Sequence, residues 1–161
     1  KTPEWAEAAR KSLLARGTTG DSRRSWTWAW RACLWARFLD GEKAYEMIRG
    51  MMRHSMMDSL FTTHPPMQVD GTMGIVAGFA EMLLQSRTGR LHLLPALPEA
   101  WKNGSVRGLK ARGNITVDMD WKDGRVTQFR LSSPMAQSVR VAANGTEKTY
   151  ELTPETPVRG S

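Results

Sequence analysis

Apolar and polar positions follow two different rhythms along this chain, one before Pro95 and one after it. In the first stretch apolar residues recur every three to four positions, the spacing that gathers them on one face of a helix. Trp5, Ala8, Ala9 and Leu13 predict a helix over about 3–16, with Thr2 as candidate N-cap, Pro3 at the first position and Gly17 closing it. A polar, basic loop from Gly20 to Ser25 leads into a second predicted helix, about 26–39, which stops at Asp40-Gly41. A third helix is predicted over about 42–59, then a proline-bearing loop from Phe61 to Gly71, then a fourth helix over about 73–85. The fourth is apolar on most sides, through Ile75, Val76, Ala77, Phe79, Met82, Leu83 and Leu84. A helix of that kind is normally buried between others.

After Pro95 the period falls to two. Ile115, Val117, Met119 and Trp121 alternate with Thr116, Asp118 and Asp120, the pattern of a half-buried strand. Lys122-Asp123-Gly124 supplies a hairpin turn, and Thr127, Phe129 and Leu131 alternate on the return strand. Val139 and Val141 mark a third strand, Asn144-Gly145 a second hairpin turn, and Thr149 to Leu152 a short fourth strand. The reading is therefore α then β, with a helical part over residues 1–90 and a connector plus small antiparallel β domain over 91–161. The connector, Leu91 to Pro98, is too apolar for a free linker and is expected to fasten the two parts together. The second and fourth helices look buried on more than one face, yet little else in the chain could cover them. Further helices, from a portion not present here, are expected to complete the fold.

Composition narrows the function classes. The chain has 161 residues and is 40% hydrophobic, enough for a core. No run approaches the roughly 20 apolar residues of a membrane helix, so no membrane partner is expected. The formal net charge of +7 raises a nucleic-acid hypothesis. However, residues 1–64 carry 11 Lys+Arg against 7 Asp+Glu, and residues 65–161 carry 12 against 9. The excess is spread evenly, whereas nucleic-acid binders concentrate it on one face, so a solvated basic surface is the reading adopted. The single cysteine, Cys33, rules out an internal disulfide or a cysteine zinc cluster and reads as a buried thiol. His54, His64 and His92 lie in separate segments without metal-ligand spacing, so neither a metal site nor a cofactor is expected. The chain opens at Lys1 rather than Met. The compartment stays open, with a secreted or periplasmic location preferred over a cytoplasmic one.

Chemistry concentrates in the loop from Phe61 to Thr72, which gathers His64, Gln68 and Asp70 around Pro65-Pro66. Prolines restrict the backbone, so such a loop can hold polar groups in one arrangement. It precedes a helix start, where the backbone dipole favours negative charge, and a carboxylate there can act as a base. The plainer alternative is that Asp70 caps the fourth helix; Thr72 as cap would leave Asp70 free. Tryptophan is the second signal, with seven in all and Trp26, Trp28, Trp30 and Trp35 in one helix. Indoles stack on the C–H faces of sugars, but core packing is their commoner use. Trp26, at the loop-facing start of its helix, is the best site candidate. A lone carboxylate is only half of a glycosidase: inverting hydrolysis uses two, about 6.5–9.5 Å apart. Glu81, Glu99, Asp118 and Asp120 sit in unlike settings, so the second carboxyl group is expected outside this chain.

These motifs together resemble the C-terminal region of glycoside hydrolase family 95, chiefly 1,2-α-L-fucosidases. The carriers are Trp26 to Trp30 followed by Leu34-Trp35-Ala36-Arg37-Phe38-Leu39-Asp40-Gly41, then Thr63-His64-Pro65-Pro66-Met67-Gln68-Val69-Asp70-Gly71-Thr72. Leu83-Leu84-Gln85-Ser86, His92 through Pro98, and Gly104 through Gly113 continue the likeness, which spans about residues 5–135. The resemblance implies the last helices of an (α/α)6 barrel followed by a C-terminal β domain, in a bacterial sugar-cleaving enzyme. It implies inverting removal of terminal α-linked L-fucose from fucosylated oligosaccharides. Asp70 maps onto the family's base and His64 onto its sugar-contacting histidine, with Gln68 and Trp26 as further substrate-binding candidates. The acid, a glutamate, and the asparagines that assist the base would lie in the missing N-terminal part of the same enzyme. Met67 and Met73 stand where aromatics are usual, Thr72 and Cys33 where Asn is usual, and Ser25 where Gly is usual. These departures leave L-fucose and L-galactose both open as substrates. A non-catalytic carbohydrate-binding or structural module is the alternative reading.

Overall fold

A computed structural model describes residues 2–17 and 19–161. Four helices, α1 (Pro3–Ala15), α2 (Ser25–Arg37), α3 (Gly41–His54) and α4 (Val69–Leu83), come first. Eight strands follow: β1 (Leu84–Arg87), β2 (Arg90–Leu93), β3 (Gly104–Ala111), β4 (Ile115–Lys122), β5 (Arg125–Ser132), β6 (Gln137–Ala143), β7 (Thr146–Leu152) and β8 (Val158–Gly160).

The helical part is built around α2. Trp28, Ala32, Trp35 and Ala36 form its buried side, packed with Ile48 and Met51 of α3 and Ile75 and Met82 of α4. Small residues let α2 and α4 approach closely. A Cβ added at Gly71 would meet the Ser25 side chain, one at Gly74 the Ala29 methyl, and one at Gly78 the Ala32 methyl. Both series ascend together, so α2 and α4 run parallel and their N-terminal ends lie at the same end of the structure. Helix α3 returns antiparallel: Gly50 faces the Trp28 ring, and Ser55 Oγ donates to the Arg23 carbonyl just ahead of α2. Asp40 accepts from the Lys43 N–H at 3.0 Å and caps α3.

Two helix boundaries differ from the sequence reading. Helix α3 stops at His54 rather than near Ser59, because Ser55 turns to extended pairing: its carbonyl accepts from Thr63 N–H, and Met56 bridges Thr62. Helix α4 begins at Val69 rather than Met73, because the Gln68 carbonyl already accepts the first helical bond, from Thr72 N–H at 3.2 Å. Nor is α4 covered all round, since Val69, Met73, Val76 and Ala77 are exposed.

The strands form two four-stranded sheets, β1-β2-β6-β7 and β3-β4-β5-β8, whose inward side chains share one core. Pairing is antiparallel except between β2 and β6. The four strands read from the sequence are β4 to β7, and both hairpin turns hold the left-handed backbone their residues suggest, at Asp123-Gly124 and Asn144-Gly145. The apolar connector does fasten the parts: Ala96 belongs to the helical core, and Leu94 and Leu97 pack against the β core. Trp101 adds a second tie. Its ring stacks on Phe79 at 5.4 Å, and its carbonyl accepts from Trp121 Nε1 at 2.7 Å.

Candidate functional site at the start of the second and fourth helices

The parallel packing of α2 and α4 decides where the candidate residues meet. Asp70 is exposed in the first turn of α4, and Trp26 is half-exposed in the first turn of α2. The two turns touch directly. Gly71 has no room for a Cβ, which would lie 2.3 Å from Ser25 Oγ and 2.8 Å from Thr62 Oγ1. Two helix N-termini, each carrying partial positive charge from unpaired N–H groups, thus converge at one open end.

Gln68 is the link between them, as its Oε1 accepts from Ser25 Oγ at 2.6 Å. It also occupies the N-cap position of α4, though its side chain makes no capping bond. Asp70 is therefore inside the first turn rather than capping from outside. Thr72 is not the cap either; it lies one turn in, where its hydroxyl donates to the Gln68 carbonyl at 3.0 Å. Asp70 Oδ1 accepts from the Gly71 N–H at 2.8 Å. His64 stands at the tip of a tight reversal: Thr63 bridges Met67, and His64 N–H donates to the Pro66 carbonyl at 3.1 Å across a cis Pro65-Pro66 bond. The loop thus brings Gln68 and Gly71 against the start of α2, with Asp70 exposed between them and exposed His64 on the reversal leading in.

The four tryptophans of α2 divide evenly between core and surface, so Trp30 joins Trp26 outside the core. Trp28 and Trp35 are each 2% exposed, in the core, whereas Trp26 is 40% and Trp30 41% exposed. Trp26 and Trp30 stand with ring centres 6.3 Å apart, and the Arg16 guanidinium lies over Trp30 at 5.2 Å. Arg16, Arg24, Trp26, Thr27 and Trp30 line a cleft of about 160 Å³ beside the site. The loop ahead of α2 is held by buried Arg31, which donates to the carbonyls of Gly17, Ser22 and Thr27 and lies 4.7 Å over the Trp28 ring. Burial, then the nearby Arg16, pulls the Arg31 pKa below its ordinary value. Cys33 is half-buried rather than fully enclosed; its Sγ faces the Gly74 carbonyl at 3.8 Å, and burial raises its pKa.

None of the other weighed carboxylates reaches Asp70. Glu81 lies eleven residues along the same helix, about 16 Å away along the axis, and is held by Arg37 at 2.6 Å. Glu99 pairs with Lys102 at 3.3 Å in the connector. Asp120, on the β domain, is held by Arg107, which with Gln128 lowers its pKa, and Asp118 accepts from Gly108 N–H at 2.8 Å. Among the described residues, no group of three His, Cys, Asp or Glu side chains could hold a metal ion, and no helix is long and apolar enough to cross a membrane.

Sequence reasoning missed Thr62, and it noted Ser25 only as a departure from the usual Gly, without the bond it makes. Both are fully buried, and both hold the loop through hydroxyl bonds to Gln68, 43 and 6 residues away in sequence. A buried hydroxyl on an otherwise apolar helix start was the one available signal for Ser25.

Two family descriptions match consecutive parts of the chain. Residues 1–83 match the glycosyl hydrolase family 95 catalytic domain, and residues 85–158 match the glycoside hydrolase family 95 C-terminal domain. The break between them falls where α4 gives way to β1. A protein named alpha-L-fucosidase 2 from Arabidopsis thaliana is 39% identical over 96% of this chain and 19% of its own length. Two proteins named probable alpha-fucosidase A are also similar. The one from Aspergillus niger is 30% identical over 74% of this chain and 17% of its own length. The one from Aspergillus oryzae is 27% identical over 83% of this chain and 21% of its own length. The chain thus spans about a fifth of the length of the curated relatives it matches. Helices matching one domain of a family, followed without a gap in order by sheets matching the next, place this chain in glycoside hydrolase family 95.

Proposed function

We propose that the chain is part of an inverting glycoside hydrolase that removes terminal α-linked L-fucose, or L-galactose, from glycans, with Asp70 as general base. The observation that carries this reading is the convergence of the α2 and α4 starts, where Gly71 packs on Ser25 and an exposed carboxylate and a half-exposed tryptophan occupy the two first turns. The relatives' names, alpha-L-fucosidase and alpha-fucosidase, support the substrate class.

In this mechanism Asp70 draws a proton from water as that water attacks the anomeric carbon opposite the departing oxygen. A positioned base of this kind contributes about 10²–10⁴-fold. Trp26 offers an indole face to the C–H side of the sugar, and His64 hydrogen-bonds a hydroxyl. Gln68 spends its carbonyl oxygen on Ser25, so its amide N–H groups are the ones left for the sugar. The acid must stand about 6.5–9.5 Å from Asp70; Glu81 is too far along the helix, so the acid comes from another part of the complete enzyme. The helices within residues 1–90 then belong to an (α/α)6 barrel whose other helices cover the exposed side of α4, and the strands from Leu84 onward, with the connector, belong to the C-terminal domain.

The test is the anomer first released. With the complete protein and 2′-fucosyllactose, proton NMR early in the reaction should show β-L-fucose appearing before its mutarotation to α. Appearance of the α anomer first would make the enzyme retaining and remove the role assigned to Asp70. Glycan binding without any hydrolysis would instead favour a carbohydrate-binding module.

A further inference from the structure

Asp70 is exposed, and among the described residues its one hydrogen bond is from the N–H of the next residue, Gly71. No surrounding side chain aims the carboxylate by a hydrogen bond, so its direction depends on the backbone turn that carries it. That turn is held by hydroxyl groups from two other segments. The Gln68 carbonyl, first acceptor of α4, receives Thr72 N–H at 3.2 Å, Thr72 Oγ1 at 3.0 Å and Thr62 Oγ1 at 2.9 Å. The two threonine oxygens lie 2.9 Å apart, and Thr72 Oγ1 also accepts from Thr62 N–H at 3.1 Å. Gln68 N–H donates to the Thr62 carbonyl at 2.9 Å, and Ser25 Oγ donates to Gln68 Oε1 at 2.6 Å. Helix starts are ordinarily satisfied by their own N-cap side chain; here Gln68 makes no such bond, and hydroxyls of neighbouring segments fix the turn from outside.

We infer that Ser25, Thr62 and Thr72 form a hydroxyl clasp that positions Asp70 for proton abstraction, an inference that rests on Asp70 being the general base. Ser25 and Thr62 are each 0% exposed, so they act through Gln68 and the α4 turn rather than on the sugar. They are positioning residues. Loosening the clasp lets the turn shift, and a misplacement of about 1 Å at a reacting group costs about 10²-fold in rate. Trp26 and His64 lie outside the clasp, and the Gln68 side chain is held by Ser25 rather than by the threonines, so loss of a threonine hydroxyl falls on kcat rather than on KM.

The test uses the complete enzyme with 2′-fucosyllactose and four variants: Thr62→Val, Thr62→Ser, Thr72→Val and Asp70→Asn. Thr62→Val keeps the shape and removes the hydroxyl. Its kcat should fall about 10- to 100-fold, with KM within about twofold of the parent. Thr62→Ser, which keeps the hydroxyl, should retain near-parent kcat. If Thr62→Val does not show a cooperative unfolding transition, Thr72→Val carries the same test, because that side chain is only half-buried. A folded Val variant with parent kcat, a loss confined to KM, or an equal loss in Thr62→Ser overturns the clasp. Asp70→Asn separates the two failures. An inactive Asp70→Asn beside fully active Val variants sinks the clasp alone, and an Asp70→Asn enzyme with parent turnover sinks the base assignment and the clasp with it.

Discussion

Single residues in this chain do their work through neighbours that lie far away in sequence. Trp26 and Asp70 are separated by 44 positions, and only the fit of Gly71 against Ser25 brings them to one end. His92 is a second case, on the edge of the β core. Burial, with Arg90 next, holds its imidazole below the ordinary value, while Glu147 acts in the opposite direction. A depressed histidine means that the unfolded chain accepts a proton the folded chain resists. Above about pH 6.5 both states are neutral at His92 and nothing is lost. Below that value stability falls with pH until the folded pKa is passed. His92→Gln removes this contribution, so its urea midpoint should drop less between pH 7 and pH 5 than the parent's. Equal drops in the two proteins would show that His92 plays no part. At this scale the sequence singled out the loop that carries His64, Gln68 and Asp70, and core packing as the commoner use of tryptophan holds for Trp28 and Trp35 but not for Trp30, which is 41% exposed. No bonding role was legible for Ser25 or Thr62, because hydroxyl bonds to Gln68 from 43 and 6 residues away leave no periodic trace.

Elements were legible where hydrophobic period and turn chemistry agreed. Strands β4 and β5 alternate cleanly and are joined by Asp123-Gly124, whose positive φ angles suit a tight hairpin. Strand β3 escaped because its register shifts between Val106 and Leu109, with Gly108 at φ +76°, which breaks the period of two. Strands β1 and β2 escaped because they are four residues each, β1 starting within the predicted end of the fourth helix and β2 running into the apolar connector. Helix α4 read as starting late because its early residues include two glycines, poor helix formers on their own. Those glycines are there for packing, which yields a contrast. An alanine at Gly71 would put a Cβ 2.3 Å from Ser25 Oγ, whereas one at Gly78 would stand 3.2 Å from the Ala32 Cβ. Gly71→Ala should therefore cost about 1–3 kcal/mol through overpacking. At Gly78 the roughly 1 kcal/mol gained from better helix propensity offsets a smaller adjustment, so Gly78→Ala should be near neutral. Unfolding midpoints of the two variants decide the matter; equal effects would mean that α2 and α4 do not approach as described.

At the scale of the whole molecule, the uneven coverage of the helices is the main physical fact. Met73 and Val76 on α4 are 65% and 64% exposed, and Val69, Trp5 and Leu14 are exposed as well. Val69, Met73 and Val76, spaced four and three apart, form one apolar strip along α4, and an apolar strip of this kind marks a face that meets something else. On the barrel reading, that something is the rest of the enzyme. The 161-residue chain produced alone should bind a hydrophobic dye and self-associate, and both properties should vanish when it is part of the complete protein. A monomeric chain with no dye binding and a cooperative transition of its own would contradict the barrel reading. The β part, by contrast, closes the inward side chains of two sheets on one core. Asp70 is the proposed base, and the most direct test of that role is the turnover of Asp70→Asn in the complete protein with 2′-fucosyllactose. Loss of at least about 10²-fold in kcat, with the unfolding transition unchanged, is the predicted result; turnover close to the parent's would contradict it.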